Sequence, residues 1–358
     1  MATAEVPKNA PAVVFESLGG PITLKKDSKV TQPDELEPGQ VLVKIFATGV
    51  CHSDVHAHKG DWAMPPVSPL IGGHEGAGHI AAIAANTNTT FKVGDAVGIK
   101  WLADSCLNCE NCRMGAEATC TQAKFHGYTA NGSFQHYAVS YARHLTPIPD
   151  GLPLEVAAPI LCAGVTVWKA IKEANLKAGD YLVIPGAGGG LGHLAVQYAS
   201  AIGLRVVGID TGSDKEQLLA GYGAESFIDF KQFPEQDALV KEVQRLTGGQ
   251  GPHAAVITSS GGAAYAAALE YLRSHGTLVA VGVPPDTYIK APVFWLVIKN
   301  LRIVGSLVGN RQDAIEALDF VARGKVKPQI QVERLEDLES ALGRIDSGKV
   351  AGRIVLKY

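Results

Sequence analysis

The chain has 358 residues, enough for two hydrophobic cores. A formal net charge of −3 gives no polyanion-binding signature, so no nucleic-acid partner is expected. Hydrophobic residues make up 46%, but no uninterrupted apolar run reaches membrane-spanning length, so no membrane is expected either.

The opening Met1-Ala-Thr-Ala-Glu-Val-Pro7 carries neither a signal-peptide core nor an Arg-rich transit pattern. The thiols that follow read as metal ligands, which argues against an oxidising compartment. A cytoplasmic protein is expected. The first thiol, Cys51, stands in Gly49-Val-Cys-His-Ser-Asp54, and Gly72-Gly-His74-Glu75-Gly-Ala-Gly78 comes next. Cys106, Cys109, Cys112 and Cys120 then crowd into fifteen positions, as two overlapping C-x2-C steps and one return. Four sulfurs suit a closed tetrahedral Zn²⁺ site that shapes a loop and does no chemistry. An iron–sulfur cluster is the rival for that spacing, although nothing else in the chain suggests one-electron transfer. The last thiol is Cys162, in Pro159-Ile-Leu-Cys-Ala-Gly164. Cys51, His74 and Cys162 match a ligand set of catalytic zinc that leaves the fourth position to water or substrate. Taken singly, a cysteine is usually a small buried hydrophobe. Here two zinc sites consume all six cysteines.

From Tyr181 the chain alternates strand and helix. Strands are expected at 181–185, 205–210, 227–230, 254–258, 277–281 and 301–306. Helices are expected at 191–202, 213–221, 233–246, 262–272 and 293–299. Six apolar strands separated by helices predict a doubly wound parallel sheet, a six-stranded Rossmann domain of the α/β class. Gly186-Ala-Gly188-Gly189-Gly190-Leu191-Gly192 follows the first strand and opens the first helix, the setting of a dinucleotide fingerprint. It has one glycine more than the plain pattern, which leaves the individual roles open. Asp210 ends the second strand, where a carboxylate accepts from the adenosine ribose and repels a 2′-phosphate; NAD is expected over NADP. Lys215 reads equally as a second ribose contact or as a solvated helix charge.

Cys51-His-Ser-Asp-Val-His56, Gly60-Asp-Trp62, the Gly72–Gly78 run, Gly98-Ile-Lys-Trp-Leu102, the four-cysteine lobe, Leu161-Cys-Ala-Gly-Val-Thr166 and Val304-Gly-Ser-Leu-Val-Gly-Asn-Arg311 together resemble the zinc-dependent medium-chain alcohol dehydrogenases, in their fungal, yeast-type branch. The resemblance runs from about Val41 to Arg353. It implies a GroES-like, mainly β catalytic domain at 1–163 and 308–358 holding both zinc sites, with the Rossmann domain inserted at 164–307. It implies a homotetramer that oxidises a small alcohol to an aldehyde with hydride transfer to NAD. Residue by residue, it implies that Ser53 takes the proton of the bound alcohol and His56 passes it on through the cofactor ribose to solvent. Asp54 orients a ligating histidine, and Glu75 lies behind the metal as an occasional ligand. His52 and Arg353 contact the pyrophosphate, and the backbone at Val281 and Val283 meets the nicotinamide amide. Trp62 and Trp101 wall a pocket for short alcohols. His58, His79, His126, His136, His144, His193, His253 and His275 match no role. His193 and the segment starting at Pro284 depart from the yeast-type pattern.

Overall fold

The structure is a computed structural model and describes residues 5–259, 261–284 and 287–358; Pro285 and Asp286 of the departing segment lie outside it. The chain divides into two compact units: residues 1–162, 309–322 and 329–358 form one, and 163–308 with 323–328 form the other. The short return at 323–328 joins the second unit by a reciprocal pair. The Lys327 N–H donates to Gln197 Oε1 at 2.7 Å, and Gln197 Nε2 donates to the Lys327 carbonyl at 3.1 Å.

The first unit is built on a seven-stranded sheet. Its long strand Gln40–Val50 is flanked by Gly76–Ile83 on one side and Arg353–Lys357 on the other, both antiparallel. Tyr137–Tyr141 pairs with the first half of the long strand, and Ile330–Arg334 extends the sheet beyond Arg353–Lys357. Val41, Leu42 and Val43 are fully buried, so the strand reads as an apolar run rather than an alternation. Val50, Leu335, Leu338, Ile354 and Leu356 share one cluster, so residues from both ends of the sequence close the same core.

The second unit holds six parallel strands in the order Ser226–Asp229, Arg205–Asp210, Tyr181–Pro185, Ala254–Ile257, Thr277–Ala280, Arg302–Gly305. In chain order this is 3-2-1-4-5-6, the doubly wound arrangement in which the order reverses beside the first strand. Leu182, Val183 and Ile184 of that central strand are wholly buried, as strands covered on both faces must be. All six expected strands are present, each within two residues of its expected bounds. The helix expected from Phe233 starts later, at Gln236–Leu246, and Phe230–Gln232 forms a 3-10 turn before it. Pro234 disfavours helical backbone at the preceding residue, and Phe233 is accordingly non-helical, at φ −125° and ψ 73°.

At the far edge of this sheet, helix Val293–Ile298 buries none of its residues. Val293, Phe294, Val297 and Ile298 are each more than 60% exposed, beside the edge strand Arg302–Gly305. No single helix among the described residues is long and apolar enough to cross a membrane.

Candidate metal and cofactor sites

Helix His52–Lys59 starts where strand Gln40–Val50 ends, with Cys51 at the junction as its N-cap. The junction is closed by Asp54, which is fully buried and accepts the Cys51 N–H at 2.8 Å. The other Asp54 oxygen faces His74 Nδ1 at 3.1 Å and the Gly73 N–H at 3.2 Å. A carboxylate there accepts, so the contact places a proton on His74 Nδ1 and leaves Nε2 as the nitrogen that can meet a metal. That Nε2 is buried and has no hydrogen-bond partner. Cys51, His74, Glu75 and Cys162 are all buried, and their ligand atoms lie within 4.8 Å of one another. A buried, unpartnered imidazole nitrogen beside two thiols is a donor set that fits Zn²⁺.

These groups share protons among themselves: against burial, Asp54 and Cys51 raise the His74 imidazole well above its ordinary range. A hydrogen bond from Cys162 holds the Cys51 thiol well below its ordinary range against burial, with His74 and Arg353 assisting. The same shared bond, together with burial, pushes Cys162 up. The pair thus holds one proton that a metal would displace. Burial pushes the Glu75 carboxyl up to about 7 against the pull of Arg353, whose guanidinium donates to Glu75 Oε1. The other Glu75 oxygen and Arg353 Nε are buried without partners. Arg353, expected on a pyrophosphate, is therefore 6% exposed and paired behind the ligand set.

The thiols of Cys106, Cys109, Cys112 and Cys120 also lie within 4.8 Å of one another. Cys106 Sγ is 3.9 Å from Cys112 Sγ and 3.6 Å from Cys120 Sγ. Four sulfurs at 2.3 Å around one tetrahedral ion stand about 3.8 Å apart. A cluster would hold them wider, around several iron atoms, so the spacing decides for a single zinc. The N–H groups of Asn108 and Cys109 point at Cys106 Sγ from 3.4 and 3.2 Å and draw its thiol down to about 6. Helix Arg311–Ala322 is tied to this lobe through its first residue, since Arg311 Nε donates to the buried Glu117 at 2.8 Å.

Around the first site the side walls are aromatic. Trp101 stands edge-on to the His74 ring at 5.1 Å and at right angles to Trp62 at 6.2 Å. Phe125 and Tyr128, which the sequence did not single out, support Trp101 at 5.3 Å each. Ser53 Oγ lies 3.7 Å from Cys51 Sγ. His56 lies between the rings of His52 and Trp62, at 5.1 and 4.9 Å. Of the unassigned histidines, His126 holds the wall from behind. Its backbone N–H donates to the Trp101 carbonyl at 2.9 Å, and its Nδ1–H donates to the Lys100 carbonyl at 2.8 Å.

In the parallel unit the glycine loop resolves into roles. Gly186 turns at φ +81°, open to glycine at no cost, and a Cβ there would strike the Ser259 backbone. A Cβ on Gly188 would strike Lys215, and its N–H donates to Asp210 at 2.8 Å. A Cβ on Gly192 would come within 2.1 Å of the Gly186 carbonyl, so helix Gly192–Ala201 packs against the strand only with glycine at its start. The tight turn, the open approach and the close packing thus fall to Gly186, Gly188 and Gly192. Among the other loop residues, the Gly189 N–H donates to the Gly186 carbonyl at 3.1 Å. Gly190 and Leu191 complete the turn into the helix, Leu191 as its N-cap. Lys215 Nζ sits 2.7 Å from Asp210 Oδ1, on the carboxylate expected to meet a ribose. A cradle that side chains would fill and a buried carboxylate behind it fit a dinucleotide. Val281 is buried and Val283 is 62% exposed.

Comparison with known proteins agrees with both units. Residues 37–150 match the alcohol dehydrogenase GroES-like domain, and residues 190–323 match the zinc-binding dehydrogenase family. The chain is 47% identical over 353 residues to an alcohol dehydrogenase of Schizosaccharomyces pombe, covering 98% of each. It is 46% identical over 347 residues to alcohol dehydrogenase 1 of Emericella nidulans, covering 97% of each. Among solved structures it resembles acetophenone reductase from Geotrichum candidum in complex with NAD, with a TM-score of 0.85, 28% identity and 99% of each chain covered. Ligand geometry, sheet order and sequence identity converge, and the chain belongs to the zinc-binding alcohol dehydrogenases with a GroES-like domain.

Proposed function

We propose that the chain reversibly oxidises a small, ethanol-like primary alcohol to its aldehyde, with NAD as the hydride acceptor. The observation that carries this is the buried Cys51, His74, Cys162 set, with His74 Nε2 unpartnered and an indole edge beside it. Zinc there supplies Lewis acidity that lowers the pKa of a bound hydroxyl, and NAD supplies the hydride-accepting ring. The protein's part is to orient, to exclude and to move a proton. Asp54 fixes the tautomer of His74. Ser53 accepts the hydroxyl proton and His56 carries it toward solvent. Trp101 and Trp62 restrict the pocket to short chains, because two indoles beside a metal leave little volume. Asp210, with Lys215 beside it, reads the ribose, and the glycine loop admits the pyrophosphate. The pyrophosphate roles of His52 and Arg353, and the amide contacts at Val281 and Val283, rest on the resemblance alone. Glu75 backs the metal. A domain division near residues 163 and 308 is part of the same reading.

The enzyme is further proposed to work in the cytoplasm as a homotetramer. Support for self-association comes from the uncovered apolar helix Val293–Ile298 beside an edge strand, an arrangement that water does not favour.

The test is metal analysis of the purified protein with an NAD-linked assay over alcohols of increasing length. About two zinc ions per chain and turnover that falls with chain length are expected. A protein without metal or turnover would overturn the proposal. Equal use of NADP would overturn the reading of Asp210.

A further inference from the structure

Gly60-Asp61-Trp62 contributes a pocket indole, but its carboxylate has no role so far. Helix His52–Lys59 ends at Gly60, whose left-handed backbone (φ 66°) turns the chain back while its N–H donates to the His56 carbonyl at 2.7 Å. The turn brings Asp61 Oδ1 to 2.7 Å from His56 Nδ1 and lays Trp62 on the His56 ring, with 24° between the planes. The imidazole is thereby held on three sides: by His52, by Trp62 and by a carboxylate in its own plane of hydrogen bonding. It is 12% exposed, and Asp61 is 34% exposed. A solvated surface pair would not need an indole clamped over it.

We propose that Asp61 is a positioning residue for proton transfer through His56, holding the proton on Nδ1 so that Nε2 is the nitrogen that accepts. This rests on the reading of Ser53 and His56 as the proton exit. The ionised carboxylate accepts only, so the Asp61 contact requires Nδ1–H. When Nε2 gains the proton lost by the alcohol hydroxyl, an N–H bond forms as an O–H bond breaks. The resulting imidazolium keeps Nδ1–H on Asp61, whose charge stabilises it, and Nε2 then releases the proton to solvent. The charged or titratable groups near this pair are His52 and Lys59 on the same helix, Asp346 on the helix packed against it, which pairs with Lys59 at 2.7 Å, and Tyr128, which stands against Trp62 and feels the Asp61 charge.

Asp61→Asn keeps the size and an acceptor oxygen but removes the charge. In the zinc- and NAD-loaded enzyme, kcat/KM for alcohol oxidation is expected to fall about tenfold near pH 7. The midpoint of its acid limb should move about one pH unit lower, because the imidazolium has lost its counter-charge. A second readout does not depend on turnover: the pH midpoint for carbethoxylation of His56 by diethyl pyrocarbonate, followed by peptide mass spectrometry, should move the same way. Asp61→Glu should restore part of both shifts. Asp346→Asn should move both midpoints much less than Asp61→Asn does, since the Asp346 charge is paired with Lys59 and reaches His56 only through space. A uniform loss of rate at every pH, with unmoved midpoints, would reduce Asp61 to a structural residue and overturn the proposal. His56→Gln separates the two readings. If it leaves the acid limb intact, the proton exit itself is wrong and Asp61 falls with it. If it abolishes the limb while Asp61→Asn moves neither midpoint, only the role of Asp61 falls.

Discussion

Asp54 holds His74 and Cys51 with one carboxylate, taking the imidazole Nδ1–H on one oxygen and the thiol residue's backbone N–H on the other. Two ligands from segments 23 residues apart are thus aimed by a residue that cannot itself touch the ion. Asp54→Ala should therefore lower zinc affinity about 10- to 100-fold at the Cys51 site and leave the four-cysteine site loaded. Zinc counted per chain after titration with a chelator would fall from about two toward one at a lower chelator concentration than in the parent. Simultaneous loss of both ions would contradict this assignment.

Cys109→Ser should act on stability before chemistry. The four thiolates form a closed site whose binding energy is folding energy. Loss of one should lower Tm by on the order of 10 °C and promote dissociation of any oligomer, as read by calorimetry and light scattering. Turnover per remaining folded active site should change less than threefold, roughly, since this lobe holds no proton-transfer group. An unchanged Tm with abolished turnover would reverse the roles of the two metals.

Trp101→Ala should widen the substrate range. The indole stands against the His74 ring and rests on Phe125 and Tyr128, so its removal deletes wall volume without removing a ligand. The kcat/KM ratio of a branched or six-carbon alcohol to ethanol should rise roughly tenfold or more, each methylene being worth about 1–3 kcal/mol in such a pocket. An unaltered ratio would make Trp101 a packing residue only.

Acid stability should depend on His126. Burial pushes its imidazole down to about 4, below the ordinary value of 6.5. Between those values the unfolded chain binds a proton that the folded chain refuses. The folded state is thus fully stable with respect to this group above pH 6.5 and loses stability as pH falls toward 4. The full loss amounts to about 3 kcal/mol. His126→Asn, which can keep the donor to the Lys100 carbonyl, should flatten the dependence of unfolding free energy on pH by about one proton between pH 4.5 and 6.5. Denaturant melts across that range measure it. An unchanged slope would show that the imidazole titrates freely in the fold.

Much of this was readable from residues. Runs such as Leu182-Val-Ile184 announce strands covered on both faces, and overlapping C-x2-C steps announce a closed metal site, because each signal is local. What the sequence hid depends on residues meeting across the fold or on backbone detail. The roles within the glycine run 186–192 depend on the approach of Gly192 to the Gly186 carbonyl, which no spacing encodes. Phe125 and Tyr128 look like any buried aromatics until Trp101 is laid on them. Asp61 stands five residues from His56, off the helical spacing, and only the left-handed turn at Gly60 brings it back. The apolar pattern starts at Phe233, whereas Pro234 delays the helix to Gln236–Leu246.

The strand that leads into Cys51 is flanked by Arg353–Lys357: Val50 stands opposite Ile354, and Gly49 opposite Val355. During synthesis this sets an order of assembly. The six parallel strands of the inserted unit are all made by residue 305, and domains generally fold as units as they emerge. The sheet carrying Cys51 meanwhile waits with one edge open, and Glu75 waits with no guanidinium, until Arg353–Lys357 leaves the ribosome. A nascent chain therefore carries its first metal-binding thiol at the margin of an unfinished sheet until strand Arg353–Lys357 has been made.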